Sequence, residues 1–138
     1  MARKTWQEKF DTPGDCVVKE APKDFADIKA GQQMLLTTPK DIHAFVRTVP
    51  VGQSLSMKQL RAALAKASGA DIACPVVTGI HLRTVAEVVN EQLAAGQSPA
   101  DLTPVWRVIE PNAPITKKLE AGAEQFMTLR AAENAYAG

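Results

Sequence analysis

The sequence predicts an α+β fold: a single winged helix-turn-helix domain, mostly helical, with a small β-hairpin wing. Three observations carry this. Three segments open on helix-starting residues, at Thr38, Ser56 and Thr78 or Gly79, and continue with apolar side chains at helical spacing. The apolar run Val105 to Ile109 leads into Pro111-Asn112-Ala113-Pro114 and back toward Ile115, which reads as a hairpin. A final helical pattern closes the chain. The order helix, short strand, helix, turn, helix, hairpin, helix is that of a winged helix, whose second paired helix enters a DNA groove while the wing touches phosphate.

Residues 1–33 hold Pro13-Gly14-Asp15, Ala21-Pro22-Lys23-Asp24 and Ala30-Gly31 with little apolar periodicity. They read as an N-terminal arm or wrapped loop, anchored by Trp6 and Phe10 on a short amphipathic turn. The winged-helix domain is then 34–138. Met34-Leu35-Leu36 is a short strand or a plug for the core. Thr38 is the N-cap of the next helix, with Pro39 at its first position and Asp41 in its first turn. Ile42, Phe45, Val46 and Val49 follow at helical spacing until Pro50 stops them.

Ser56 and Gln59 form a capping box that opens a helix through Leu60, Leu64 and Ala67 to Gly69. Gly69 to Gly79 is an apolar, proline-bearing connection. The helix beyond it carries Leu82, Val85, Ala86, Val89 and Leu93 on one face, with Gly96 past its end. Val105 to Ile109 suits a buried strand. A helix from about Gly122 presents Phe126, Leu129 and Ala132 and frays at Ala135 to Gly138.

Composition narrows the function classes. A chain of 138 residues, 46% hydrophobic and 22% charged, can bury a core in one domain. No apolar run is long enough for a membrane span, and the first residues lack the apolar stretch of a signal peptide, so a cytoplasmic protein with no membrane role is expected. Cys16 and Cys74, with two histidines, are too few for a disulfide framework or a metal site. Both read as free thiols, and no metal or cofactor is expected. The net charge of +1 argues against strong non-specific nucleic-acid affinity. Locally, however, Lys40, Arg47, Lys58, Arg61 and Lys66 face Asp41 alone, whereas Arg83 is followed by Glu87 and Glu91.

Pro104-Val105-Trp106-Arg107-Val108-Ile109, read with Arg83-Thr84-Val85-Ala86, resembles the active-site segment of the O6-alkylguanine-DNA alkyltransferases. In that family a Pro-Cys-His-Arg-Val run carries the alkyl-accepting thiol and its activating histidine. An Arg-Ala-Val-Gly run supplies the arginine that props open DNA where a base has been flipped out. The resemblance runs from about Asp41 to Glu133. Ile42 to Gly52 is similar to the family's first helix, and Leu55 to Leu60 to its second, with Met57 where the family places a tyrosine. Gly122, Gln125, Leu129 and Glu133 match the closing helix. Only the family's DNA-binding half is represented, and the fold implied is the alkyltransferase C-terminal type.

Val105 stands at the cysteine position and Trp106 at the histidine position, so the resemblance implies no catalytic residue and no alkyl transfer. The chain is similar in this to the alkyltransferase-like proteins, which bind lesions without repairing them. What the resemblance implies is a monomeric, non-enzymatic protein that binds double-stranded DNA, including DNA with alkylated or flipped-out bases. The DNA-binding residues expected are Arg83, Thr78, Lys58, Arg61 and Gln59, and the base pocket expected is Met57, Val105, Trp106 and Arg107.

Each residue has a plainer reading. Arg83 is a finger filling the vacated stack or an exposed arginine near a helix start. Trp106 stacks on a base, or faces the core, because strand alternation turns it inward if Val105 faces a pocket. Arg107 reads as a buttress beneath the loops, and Lys58 and Arg61 as phosphate contacts or a charged helix face. Cys74 near a helix start is the one candidate nucleophile, but its apolar neighbours favour an inert buried thiol. His43 and His81 have no partner at ligand spacing. The alternative function is a protein-interaction module on the same fold that has lost DNA binding; an enzyme using Cys74 ranks third. A basic groove with an open pocket beside Val105 favours DNA, and a neutral or apolar face favours a protein partner.

Overall fold

A computed structural model describes residues 5–137. The fold is mixed α+β and mostly helical. Helix α1 is Trp6–Asp11, strand β1 Val17–Glu20, strand β2 Gln33–Leu36, helix α2 Pro39–Val46, helix α3 Met57–Ser68 and strand β3 Ile72–Ala73. Helix α4 is Pro75–Ala94, α5 Ile115–Lys118 and α6 Glu124–Ala137, with single 3-10 turns at Pro99–Asp101 and Val105–Arg107.

The helix starts follow from local chemistry. Thr38 accepts the Asp41 amide while the Asp41 carboxylate accepts the Thr38 amide, with Pro39 in the first turn of α2. Ser56 and Gln59 close the same reciprocal box on α3. A third box, Thr5 with Glu8, starts α1. Each satisfies amides that a helix start otherwise leaves unpaired. Gly69 ends α3 at φ 71°, a left-handed conformation that suits a residue with no Cβ.

One strand of the sheet, β1, lies where the sequence suggests an arm, and β2 takes up the short strand expected at Met34-Leu35-Leu36. β2 is central, antiparallel to β1 (Val17 opposite Leu36, Glu20 opposite Gln33) and parallel to β3 (Met34 opposite Ile72). Asp71 pins the β3 register: its amide donates to the Gln33 carbonyl and its carboxylate accepts the Gln33 amide. Within 5–33, then, the chain forms a helix and an edge strand, and Ala21 and Ile28 enter a small cluster with Met34 and Cys74. The part of the expected arm at 1–4 lies outside the described residues. Regular pairing was hidden because all four β1 side chains are exposed, so the strand has no apolar alternation.

The expected hairpin wing is the main correction. Among the described residues no strand lies between 105 and 115: Val105–Arg107 is a 3-10 turn, and Pro114 leads directly into α5. Val105, Trp106, Val108 and Ile109 are all buried, and a continuous buried run fits a tight turn as well as a strand. Pro111 and Pro114 lack the amides that a hairpin ladder uses. One backbone bond, from the Leu55 amide to the Arg107 carbonyl at 2.8 Å, ties this segment to the chain before α3.

The core gathers on α4. Leu82, Val85, Ala86 and Val89 meet Ile42 and Val46 of α2, Leu60 and Leu64 of α3, Val105, Trp106 and Ile109, and Phe126 of α6. Helix α4 starts at Pro75, earlier than the expected Thr78 or Gly79, because Pro75 supplies the fixed φ of a first helical residue. From Thr84 to Asn90 every residue of α4 is buried. Its amino-terminal part, before Thr84, keeps an open face.

Candidate functional site: the groove on α4

That open face is a stripe at helical spacing: Val76, Gly79, Ile80 and Arg83. It floors a groove of about 1060 Å³. The remaining lining comes from α1 and the loop after it (Trp6, Lys9, Thr12 to Asp15), from Thr38 and Pro39 at the start of α2, from Met57 at the start of α3, and from Ala113 to Ile115 with Lys118. Most of these surfaces are apolar. The charged residues among them are Lys9, Arg83 and Lys118 against Asp15 alone. Neither Lys9 nor Lys118 has an ion-pair partner among the described residues.

Arg83 is held from two directions. Its Nε lies 3.3 Å from Glu87 Oε2, and its guanidinium carbon is 5.0 Å from the centre of the Trp6 ring. Glu87 is not part of an acidic recognition face, as its position suggested. It is 2% exposed, and both carboxylate oxygens accept the Glu120 amide at 3.1 Å, which fixes the chain just beyond α5. Glu91, one turn on, is exposed. His81 lines the groove, and burial holds its imidazole below the ordinary histidine value, hence neutral at pH 7.

The expected DNA-contact residues separate. Arg83 is in the groove. Lys58 and Gln59 are exposed at the start of α3, Gln59 with its side-chain oxygen on the Ser56 amide. Thr78 is fully buried on the inner side of α4, so it cannot reach phosphate. Arg61 is 9% exposed and committed elsewhere: two nitrogens grip the Asp27 carboxylate at 2.9 and 2.8 Å, and two bonds go to the Ala73 carbonyl. It ties α3 to β3 and to the loop before β2, and is not a phosphate contact.

The expected base pocket does not assemble either. Met57 lines the α4 groove, while Val105 is completely buried. Trp106 is 3% exposed and packs on Phe126, ring centres 6.4 Å apart, which is its core reading. Trp106 and Arg107 edge a separate hollow of about 430 Å³ with Leu129 and Glu133. Arg107 is a buttress: it donates to Glu133 through Nε and Nη2 and to the Val49 carbonyl through Nη1.

No family model, no curated protein and no solved structure matches this chain. The site must be read from its own chemistry. Cys74, the one candidate nucleophile, is 4% exposed among Ala21, Ile28 and Met34, whereas His81 faces the groove, so the two form no reactive pair. Among the described residues no group of three or more His, Cys, Asp or Glu could hold a metal ion, and no helix is long and apolar enough to cross a membrane. His43 bonds through Nδ1 to the buried Thr103 hydroxyl and meets the edge of Phe10 at 5.5 Å, which fastens α1 to α2.

Sequence reasoning missed Trp6, Lys9 and Lys118. One signal was available: aromatic residues are only 5% of the chain, and a tryptophan in an arm without apolar periodicity needs a reason to be there.

Proposed function

We propose that this chain is a non-enzymatic DNA-binding protein, acting as a monomer, whose DNA-facing surface is the α4 groove. The observation that carries the proposal is that one concave surface brings together Met57 and Arg83, the two residues that the alkyltransferase resemblance assigns to the flipped nucleotide and to the vacated stack. Lys9 and Lys118 add positive charge at the same surface. In this reading α3 and α4 are the paired helices of a winged helix, and the Ala113–Lys118 segment takes the place of a wing. Val105 has no nucleophilic atom, so binding is not followed by alkyl transfer.

Three groove cations set the expected strength. The slope of log K against log salt should be about −3, which means weak binding that is lost near physiological salt. Fluorescence anisotropy at low salt, with intact, mismatched and O6-methylguanine duplexes, tests the reading. The expected result is tighter binding to the two disturbed duplexes. No binding to any of the three would refute it.

A second reading has its own observation. Val76 and Ile80 are 58% and 57% exposed, one turn apart on α4, and an apolar pair of that kind suits the groove-filling face of a partner helix. In that case the groove docks a protein, and DNA would not compete for it.

A further inference from the structure

We infer that Trp6 is a base-stacking residue, and that the nucleotide the groove takes is an unpaired one, extruded from a duplex or presented in single-stranded DNA. The inference rests on the DNA-binding reading above and names the ligand of that site. Its basis is the surroundings of one indole. Lys9 Nζ lies 4.2 Å from the Trp6 ring centre and the Arg83 guanidinium carbon 5.0 Å from it.

Both cations are drawn to the electron-rich faces of the ring, but each also repels the other. Glu87 offsets Arg83 only, and Lys9 has no ion-pair partner among the described residues. Positive charge over the aromatic ring is therefore left in excess at the rim of an apolar groove, and a base stacks there by displacing one of the two cations. A nucleotide matches all three features: its base is a flat ring that stacks on indole, its phosphate neutralises the cations, and its far edge enters the groove.

The core does not explain Trp6. It is half-buried on a six-residue helix that contains no buried residue. Trp106, by contrast, is 3% exposed and packs on Phe126, away from the α4 groove. The groove is also large enough for the purpose: at about 1060 Å³ it lies at the upper end of the roughly 300–1,000 Å³ of small-ligand clefts.

The test uses the full chain and two probes: an oligodeoxyadenylate of about ten nucleotides, and a duplex with one bulged adenine beside its fully paired control. Tryptophan emission should be quenched as either unpaired probe is added, and the quenching should vanish in Trp6→Ala. That variant should bind the unpaired probes roughly ten- to a hundred-fold more weakly, while its affinity for the paired control changes far less. Trp6→Phe, which keeps an aromatic face, should recover most of the loss. Circular dichroism should show the fold intact in both variants.

Unchanged affinity in Trp6→Ala, or an equal loss on the paired control, would overturn the stacking role while leaving DNA binding through Arg83 in place. Failure of the wild type to bind any of the three DNAs would overturn both the stacking role and the DNA-binding reading.

Discussion

Arg107 grips Glu133 with two parallel hydrogen bonds, Nε to Oε2 at 2.9 Å and Nη2 to Oε1 at 2.7 Å, while its third nitrogen donates to the Val49 carbonyl. One side chain thereby joins the Val105–Arg107 turn to α6 and to the chain that follows α2. Both partners are mostly shielded, with side chains 13% and 18% exposed. A fork-to-fork pair in such a place is strong, and losing one member leaves the other charge stranded. Glu133→Gln should therefore destabilise the protein by on the order of 3 kcal/mol, measured by urea unfolding at neutral pH.

The same pair gives a pH dependence. Burial alone would raise the Glu133 carboxyl, but the hydrogen bonds from Arg107, with help from the Trp106 indole, the Arg107 charge and the Gly52 amide, together outweigh it and hold its pKa below the usual value. A depressed carboxyl contributes stability that is fully present above its unfolded-state pKa and is lost as pH falls through the folded value. Urea midpoints taken from neutral pH down through the acid range should fall for the wild type below the ordinary carboxylate range. Glu133→Gln should lose less over that range. Parallel curves for the two proteins would show that the pair does not titrate with folding.

Arg61→Ala should act on stability and not on DNA contact. It removes the clamp on Asp27, whose carboxyl the Arg61 hydrogen bonds hold below its usual value, and strips two donors from the Ala73 carbonyl. A loss of about 3 kcal/mol is expected, visible as a drop in melting temperature of roughly 10 °C. Lys58→Ala, a change on the exposed start of α3, should stay within about 0.5 kcal/mol of wild type. A stable Arg61→Ala variant with weakened DNA binding would mean that Arg61 leaves Asp27 to meet phosphate.

These two arginines show where the sequence was legible. Thr38 with Asp41 and Ser56 with Gln59 are readable because a capping box is complete within one helical turn. Arg61 is settled by Asp27, 34 residues away in the chain, and Arg107 by Glu133, 26 away; no local pattern encodes either meeting. Thr78 is expected to contact DNA as a start of the groove-entering helix, yet helical rotation turns it to the inside of α4, where it is fully buried. Val105 to Ile109 was ambiguous in principle, since an unbroken apolar run fits any buried backbone. The groove itself draws residues from positions 6 to 118, and of the expected DNA-contact and base-pocket residues only Met57 and Arg83 are among them.

Thiol chemistry separates the surface from the core. Cys16 is exposed and Cys74 is 4% exposed, so an aromatic disulfide reagent should label one thiol in the native protein and the second only on unfolding. Slight burial, with Asp41 and Asp15 nearby, pushes the Cys16 thiol up, so its labelling should speed up as pH rises through the alkaline range. Placing a cysteine and a histidine at positions 105 and 106, in Val105→Cys with Trp106→His, should give a thiol that stays unlabelled until unfolding and accepts no label from O6-methylguanine DNA, because position 105 is fully buried. Alkyl transfer by that variant would show that the core opens around Val105 when DNA binds.

Arg83 and Glu87 make the sharpest test, because the same contact serves the fold and restrains the residue proposed to bind DNA. In the free protein Arg83 Nε faces Glu87 Oε2 at 3.3 Å, and Glu87 also accepts the Glu120 amide. Arg83→Ala leaves a buried carboxylate with only that amide, at an expected loss of about 1–3 kcal/mol. Glu87→Gln keeps an acceptor for Glu120 but removes the charge, so adding Arg83→Ala to it should do much less harm. Urea unfolding of the four proteins should return a coupling of about 1 kcal/mol. Binding should move the other way: freed from its ion pair, Arg83 in Glu87→Gln should hold bulged DNA more tightly than wild type does, and the double variant should lose that gain. A coupling near zero would mean that the pair does not form in solution; a gain that survives removal of Arg83 would mean that lost negative charge, and not a released arginine, strengthens binding.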